Sequence, residues 1–359
     1  MVKITYPKYA PQGPANIKVL GVGGGGSNAV NRMVEAELQG VEFIAMNTDV
    51  QALKISKAPV RVQIGETVSK GLGVGGDPSL GLQSAEESQE RIKGMLEGTQ
   101  MVFVTAGMGG GTGTGAAPVV AQIAKSLGIL TVGVVTKPFD FEGTVRLQQA
   151  EEGIKNIRAY CDTLIVIPNQ KIFKIIDEKT PWTEAFRTVD DVLRQAVQSI
   201  TDVINQTGEI NVDFADVRTI MSGAGEAMMG IGESSGPTRA IDAASKAINS
   251  PLLDDVSIDG AKGILVNITG TNSISLFEVQ DAINLIKDAG SPRAHVFYGQ
   301  VIDKNFGDKI KVTVIATGFP SRRGIRSHII RPQISKGDSS QTLDINRPAY
   351  LNWNIQKLK

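Results

Sequence analysis

Apolar residues come in two alternating rhythms along the first half of the chain. Short runs at 17–22, 41–46, 101–106, 129–135 and 164–167 predict strands, and 129–135 is apolar almost throughout, as in a strand covered on both faces. Between them apolar residues recur at three- and four-residue spacing, as in Ala29, Val30, Met33, Val34 and Leu38, or in an acidic amphipathic stretch predicted as one helix over 79–96. Strand–helix alternation predicts an α/β domain on a parallel sheet. A longer helix is predicted from Thr180-Pro181 to about Gln206, with proline in its first turn and Gly208 as its stop. Its apolar positions Phe186, Val189, Leu193, Ala196, Val197, Ile200 and Ile204 make it a buried connector between two halves. Beyond Met221, helices over 236–249 and 274–289 and strands over 263–268, 295–299 and 311–316 predict a smaller α+β domain.

The strands of the first half stop at glycine. After 101–106 the chain reads Gly107-Met108-Gly109-Gly110-Gly111-Thr112-Gly113-Thr114-Gly115 and resumes as a helical pattern. Backbone N–H groups at such a helix N-terminus favour an anion, and glycines let the main chain approach it closely. Thr112 and Thr114 add hydroxyls expected to aim at phosphate oxygens. A flexible turn is the plainer alternative, but six glycines in nine residues between a strand and a helix favour a phosphate cradle. The first strand ends in Gly21, Gly23, Gly24, Gly25, Gly26, Ser27 and Asn28, which fits GxGxxG, with Asp49 23 residues beyond Gly26. Alone, that fingerprint reads as a Rossmann fold binding NAD. A nicotinamide enzyme would have no evident use for the second cluster. A third glycine-dense loop, 70–78, is either a mobile connector or part of the same site, since loops after parallel strands converge at one sheet edge. No GxxxxGK loop followed by Ser or Thr occurs, which argues against a P-loop NTPase.

Other candidates are pairs at helical spacing. Glu142 and Arg146 can share one face towards a ligand, or form a surface ion pair. Phe186 can stack on a purine and Asp190 can accept two hydrogen bonds from guanine N1 and N2, with Asn169 serving the remaining edge of the base. Phe186 as core and Asp190 as a solvated face is the alternative, and Asp191 is an equally placed carboxylate. Asp213 and Asp216 straddle a loop and a helix start, where N-capping alone would explain them.

Charge and cysteine content narrow the function classes. Lys plus Arg equals Asp plus Glu at 37 each, so there is no basic footprint for nucleic acid. From Pro320 onward eight basic residues face two acidic ones, which reads as a solvated basic tail. Cys161 is the only cysteine, which excludes an internal disulfide and fits a reducing compartment. No apolar run approaches membrane-spanning length and no secretory signal opens the chain, so a cytoplasmic protein is expected. His295 and His328 stand alone and mark no site.

Residues 109–115, GGGTGTG, with flanks Ala106-Gly107-Met108 and Ala116-Ala117-Pro118-Val119-Val120, resemble the signature loop of the tubulin superfamily, and specifically of its FtsZ family of bacterial cell-division GTPases. The resemblance runs over about 15–318. It implies a tubulin-like fold: a Rossmann-type GTP-binding domain (17–180, after a lead 1–16), a central helix (181–207), and a catalytic loop with a C-terminal domain (208–318). It further implies GTP and GDP with Mg²⁺, and leaves a monovalent cation open. By resemblance Gly24–Asn28 and Gly110–Thr114 hold phosphates, and loop 70–78 senses the terminal one. Glu142 and Arg146 contact ribose, and Asn169, Phe186 and Asp190 hold guanine. Thr144-Val145 stand where some relatives carry basic residues. Asn211, Asp213 and Asp216 resemble the catalytic loop that acts on nucleotide held by the neighbouring subunit. The implied protein forms head-to-tail protofilaments for the division ring. Its basic linker (319–342) leads to a docking peptide (343–359) for membrane-adaptor and division proteins. In that peptide Asn346 and Arg347 separate Asp344-Ile345 from Pro348-Ala349-Tyr350-Leu351.

Overall fold

The computed structural model describes residues 15–205, 212–253, 258–304 and 306–319. The first half runs β1 (Ile17–Val22), α1 (Gly23–Glu35), β2 (Glu42–Asn47), α2 (Val50–Ile55), β3 (Val60–Gln63), α3 (Glu66–Ser69), α4 (Pro78–Glu87), α5 (Gln89–Leu96), β4 (Met101–Gly107), α6 (Gly111–Ser126), β5 (Leu130–Lys137), α7 (Thr144–Arg158) and β6 (Thr163–Pro168). The connector is α8 (Trp182–Asn205). After it come α9 (Phe214–Met221), β7 (Gly225–Ser235), α10 (Arg239–Ile248), β8 (Gly263–Gly270), α11 (Leu276–Ala289), β9 (His295–Ile302) and β10 (Lys309–Thr317).

One sheet runs through both halves in the order β3-β2-β1-β4-β5-β6-β7-β10-β8-β9. It is parallel from β3 to β7, and β10 is antiparallel to both β7 and β8. The seam is β7. Its first residues, Gly225–Ala227, pair with Thr163–Ile165 of β6, and Met228–Ser235 then pair with β10.

The apolar runs are buried on both faces. Ile17 and Val19 of β1 join a core with α1 and α8, whereas Leu20 and Val22 join a core with α5, α6 and α7. A third core packs α10 and α11 against β8 and β10. The predicted buried connector is present, with Val189, Leu193, Ala196, Val197 and Ile200 all inside.

The stretch 79–96 is two helices rather than one. The chain turns at Ser88, whose Oγ accepts the Gly65 N–H at 3.1 Å, and this turn brings Ile92 and Leu96 wholly inside. With neither Gly nor Pro at the break, local sequence carries no sign of it. The helix expected over 236–249 is shorter, Arg239–Ile248.

Candidate functional site

The order β3-β2-β1-β4-β5-β6 reverses direction between β1 and β4, the point at which open α/β sheets bind ligands beyond their strand C-termini. Both glycine loops emerge there side by side. A Cβ on Gly25 would lie 3.1 Å from Gly107 N, and one on Gly23 would lie 2.8 Å from Gly113 N, so only glycine lets the two loops touch. Likewise a Cβ on Gly26 would collide with the Thr105 carbonyl oxygen. Gly24 and Gly110 differ in having open space where a Cβ would stand. Helices α1 and α6 begin here without a side-chain cap, at Val22 and Gly110, which leaves two first turns of N–H groups for an anion. Ser27 Oγ and Asn169 Oδ1 are buried without a hydrogen-bond partner among the described residues, a capacity that a polar ligand can fill.

The threonines of the second loop are engaged with protein rather than simply aimed outward. Thr114 Oγ1 accepts the Gly109 N–H at 2.9 Å and so closes the glycine turn, while Thr112 Oγ1 lies 2.7 Å from Thr48 Oγ1. Loop 70–77 is held, not a loose connector. The Val50 N–H donates to Gly71 O, the Gly73 N–H donates to Thr48 O, and a Cβ on Gly111 would lie 2.8 Å from Asp77 N. The third loop therefore packs on the first turn of α6, as expected of loops converging on one ligand.

Beside the cradle opens a cleft of about 360 Å³ lined by Asn28, Arg32, Trp182, Phe186, Arg187 and Asp190, among others. Here the two adjacent carboxylates part company. Asp191 is bound along its own helix by Arg194 Nε and Gln195 Nε2, both at 2.6 Å, whereas Asp190 lines the cleft. Burial pushes the Asp190 carboxyl up to about 7, against the pull of the Arg32 guanidinium and with a further push from Asp191. Phe186 is half-buried between Phe139 and Trp182, with ring centroids 5.4 and 5.1 Å away. Glu142 and Arg146 do form the i,i+4 ion pair, at 2.6 Å, and Glu142 also accepts the Phe139 N–H. The pair nonetheless borders the cradle, since a Cβ on Gly109 would lie 2.8 Å from the Arg146 carbonyl oxygen.

Asp213 and Asp216 lie elsewhere. They open α9, and Asp216 Oδ2 accepts the Asp213 N–H at 3.4 Å, so the capping role is present. The helix is tied to the opposite edge of the sheet: Arg218 donates to Gly128 O just before β5, and Thr163 at the start of β6 donates to Met221 O. The eight residues of β5 separate that edge from the cradle by roughly 23 Å at about 3.3 Å per residue. Asn211 and the expected docking peptide lie outside the described residues.

Sequence reasoning missed Arg32 and Thr48. Arg32 follows Asn28 by four residues on α1, a spacing that could have flagged it. Thr48 has no local signal at all.

Comparison with known proteins bears on this geometry. A family model described as Tubulin/FtsZ family, GTPase domain, matches residues 16–177, and one described as FtsZ family, C-terminal domain, matches 225–320. Among solved structures the chain is similar to an empty FtsZ dimer from M. jannaschii, at 44% identity over 86% of this chain and 90% of that one, with a TM-score of 0.83. It also shares its fold with CetZ1 from Haloferax volcanii, a GDP-bound monomer, at 22% identity over 85% and 95% of the two chains with a TM-score of 0.74. CetZ2 of the same organism, a GTPγS-bound protofilament, is similar in fold at 22% identity over 85% and 94% with a TM-score of 0.70.

Proposed function

This chain belongs to the Tubulin/FtsZ family of GTPases, and from that premise we propose that it assembles head to tail into protofilaments for a cytoplasmic cell-division ring, hydrolysing GTP where subunits meet. Gly24–Asn28 and Gly110–Thr114 cradle the phosphates, and Glu142 and Arg146 serve the ribose. Phe186, Asn169 and Asp190 hold guanine, and Asp190 is preferred to Asp191 because only Asp190 faces the cleft. Asp213, Asp216 and Asn211 act on the nucleotide of the next subunit. Phosphoryl transfer to water passes through a loose transition state, so positioning the water and stabilising charge account for most of the catalysis. Mg²⁺ would supply charge neutralisation at the phosphates. No group of three or more His, Cys, Asp and Glu suited to a metal occurs among the described residues, so phosphate oxygens and water would supply most of its ligands. The domains 17–180 and 208–318 would thus each supply one half of the site.

The observation that carries this reading is the separation of the two edges. A carboxylate at the start of α9 cannot reach a phosphate beyond β4 in the same molecule, because the length of a strand lies between them. Stacking one copy on another brings the two edges together, and such a head-to-tail contact repeats into an open filament. Exposed apolar side chains at Phe141, Phe173, Trp182, Leu276 and Phe277 fit a surface that another copy covers. No described helix is long and apolar enough to cross a membrane, so attachment would come through an adaptor bound by 343–359. Sedimentation with simultaneous phosphate release tests the reading. Pelleting and phosphate release with GTP but not with GDP support it. Phosphate release from a chain that stays monomeric contradicts it.

A further inference from the structure

Thr48 follows β2 and is completely buried. Its Oγ1 lies 2.7 Å from Thr112 Oγ1 and has no other hydrogen-bond partner among the described residues. Each hydroxyl has one proton to give, so one of the pair donates and the other accepts. If Thr112 donated, the Thr48 proton would be left buried with nothing to receive it, the costlier arrangement. Thr48 therefore donates. The Thr112 proton is then directed away from Thr48, in the first turn of α6 where an anion is favoured. The main chain of Thr48 is engaged as well. Its carbonyl accepts the Gly73 N–H at 3.3 Å and lies 3.0 Å from Ser69 Oγ, whose one proton it shares with Gly65 O at 2.8 Å, and Ser69 Oγ accepts the Gly71 N–H at 3.2 Å. These contacts flank Leu72, which is 84% exposed at the tip of the third glycine loop.

We propose that Thr48 is a positioning residue of the phosphate site: its hydroxyl turns the Thr112 proton towards a nucleotide phosphate, and its carbonyl ties that setting to loop 69–73. The inference rests on the reading that the glycine loops hold the phosphates of GTP. Thr48 itself touches no ligand and acts only through Thr112. A phosphate drawn to Thr112 is thereby coupled to the loop that carries Leu72.

The test is a double-mutant cycle on nucleotide affinity, using the full chain with GTP, GDP and, as a control on the base cleft, ATP. Thr48→Val keeps the shape and removes the hydroxyl, and it should weaken GTP and GDP binding about tenfold, the worth of one charge-assisted hydrogen bond. The GTP-to-ATP preference should not move, Thr48→Ser should restore binding, and Thr48→Val should add nothing to Thr112→Val. Should Thr48→Val prove too unstable to assay, Thr48→Ala carries the same expectations. Wild-type affinity in the Thr48 variant, an undiminished effect in the Thr112→Val background, or no rescue by serine overturns the proposal alone. A wild-type chain that binds no GTP overturns the parent reading, and this proposal with it.

Discussion

The two edges of the parallel sheet are built on opposite principles. At the C-terminal edge the chain supplies backbone: glycines packed so closely that a Cβ would collide, two helix N-termini without side-chain caps, and buried hydroxyls. That edge suits an anion; of the carboxylates near it Glu142 pairs with Arg146, Asp49 and Asp77 cap α2 and α4, and Asp190 lines the adjacent cleft. At the other edge stand an exposed Asp213 and a half-buried Asp216, on a short helix. On the proposed reading one edge holds the nucleotide and the other supplies the carboxylates that direct water. On that reading a reaction that needs both is a reaction between molecules, and catalysis follows assembly.

Breaking the carboxylate edge should give the largest effect. Asp216→Ala should lower GTP turnover by on the order of 100-fold while nucleotide binding and sedimentation persist, because the residue contributes nothing to the cradle. Loss of GTP binding in an equilibrium assay would show that the two edges are not separable. Within the cradle, Gly26→Ala sets a Cβ against the Thr105 carbonyl and should cost about 1–3 kcal/mol of stability, read by thermal unfolding. Gly24→Ala meets no protein atom, so it should unfold as wild type does and weaken only nucleotide binding. In the base cleft, Asp190→Ala should reduce GTP affinity by roughly ten- to hundredfold and erase the preference for GTP over ATP, since both rest on one acceptor of two hydrogen bonds. An unchanged preference would return Asp191 to consideration.

The smallest effect concerns pH. The free chain holds the Asp190 carboxyl near 7, and guanine N1 and N2 both donate, so they favour the ionised form. GTP affinity should therefore fall as pH drops below about 7, by at most ~10-fold per unit, and level off above it. Titration calorimetry across that range checks it, and in Asp190→Ala the dependence should disappear.

Much of this was legible in the residue pattern, and what was not has identifiable causes. Doubly covered strands and the buried stripe of α8 announce themselves because burial sets a period of the secondary structure. Glycine loops announce themselves because few other roles demand so many glycines between a strand and a helix. Asp190 and Asp191 could not be told apart: neighbours on a helix lie about 100° apart, and only the tertiary cleft selects between them. Asp213 and Asp216 were ambiguous for another reason, as N-capping and catalysis ask for the same residue types at the same spacing. Thr114 Oγ1 also accepts the Gly109 N–H and so closes the turn, a contact set by loop geometry that residue type does not encode and that leaves its hydroxyl proton free to donate. The break at Ser88 and the role of Thr48 depend on residues far away in the chain, Gly65 and Thr112.

The division of labour between the edges is tested most directly by mixing two variants. Asp216→Ala keeps the nucleotide site and lacks the carboxylate, whereas Asp190→Ala keeps the carboxylate and loads poorly. At a GTP concentration that fills the first and not the second, each alone should release little phosphate. Together they should release far more than the sum, as the Asp190→Ala chain presents its Asp216 to nucleotide held by its neighbour. Release equal to the sum of the separate rates, from a mixture that does sediment, would contradict a site shared between subunits.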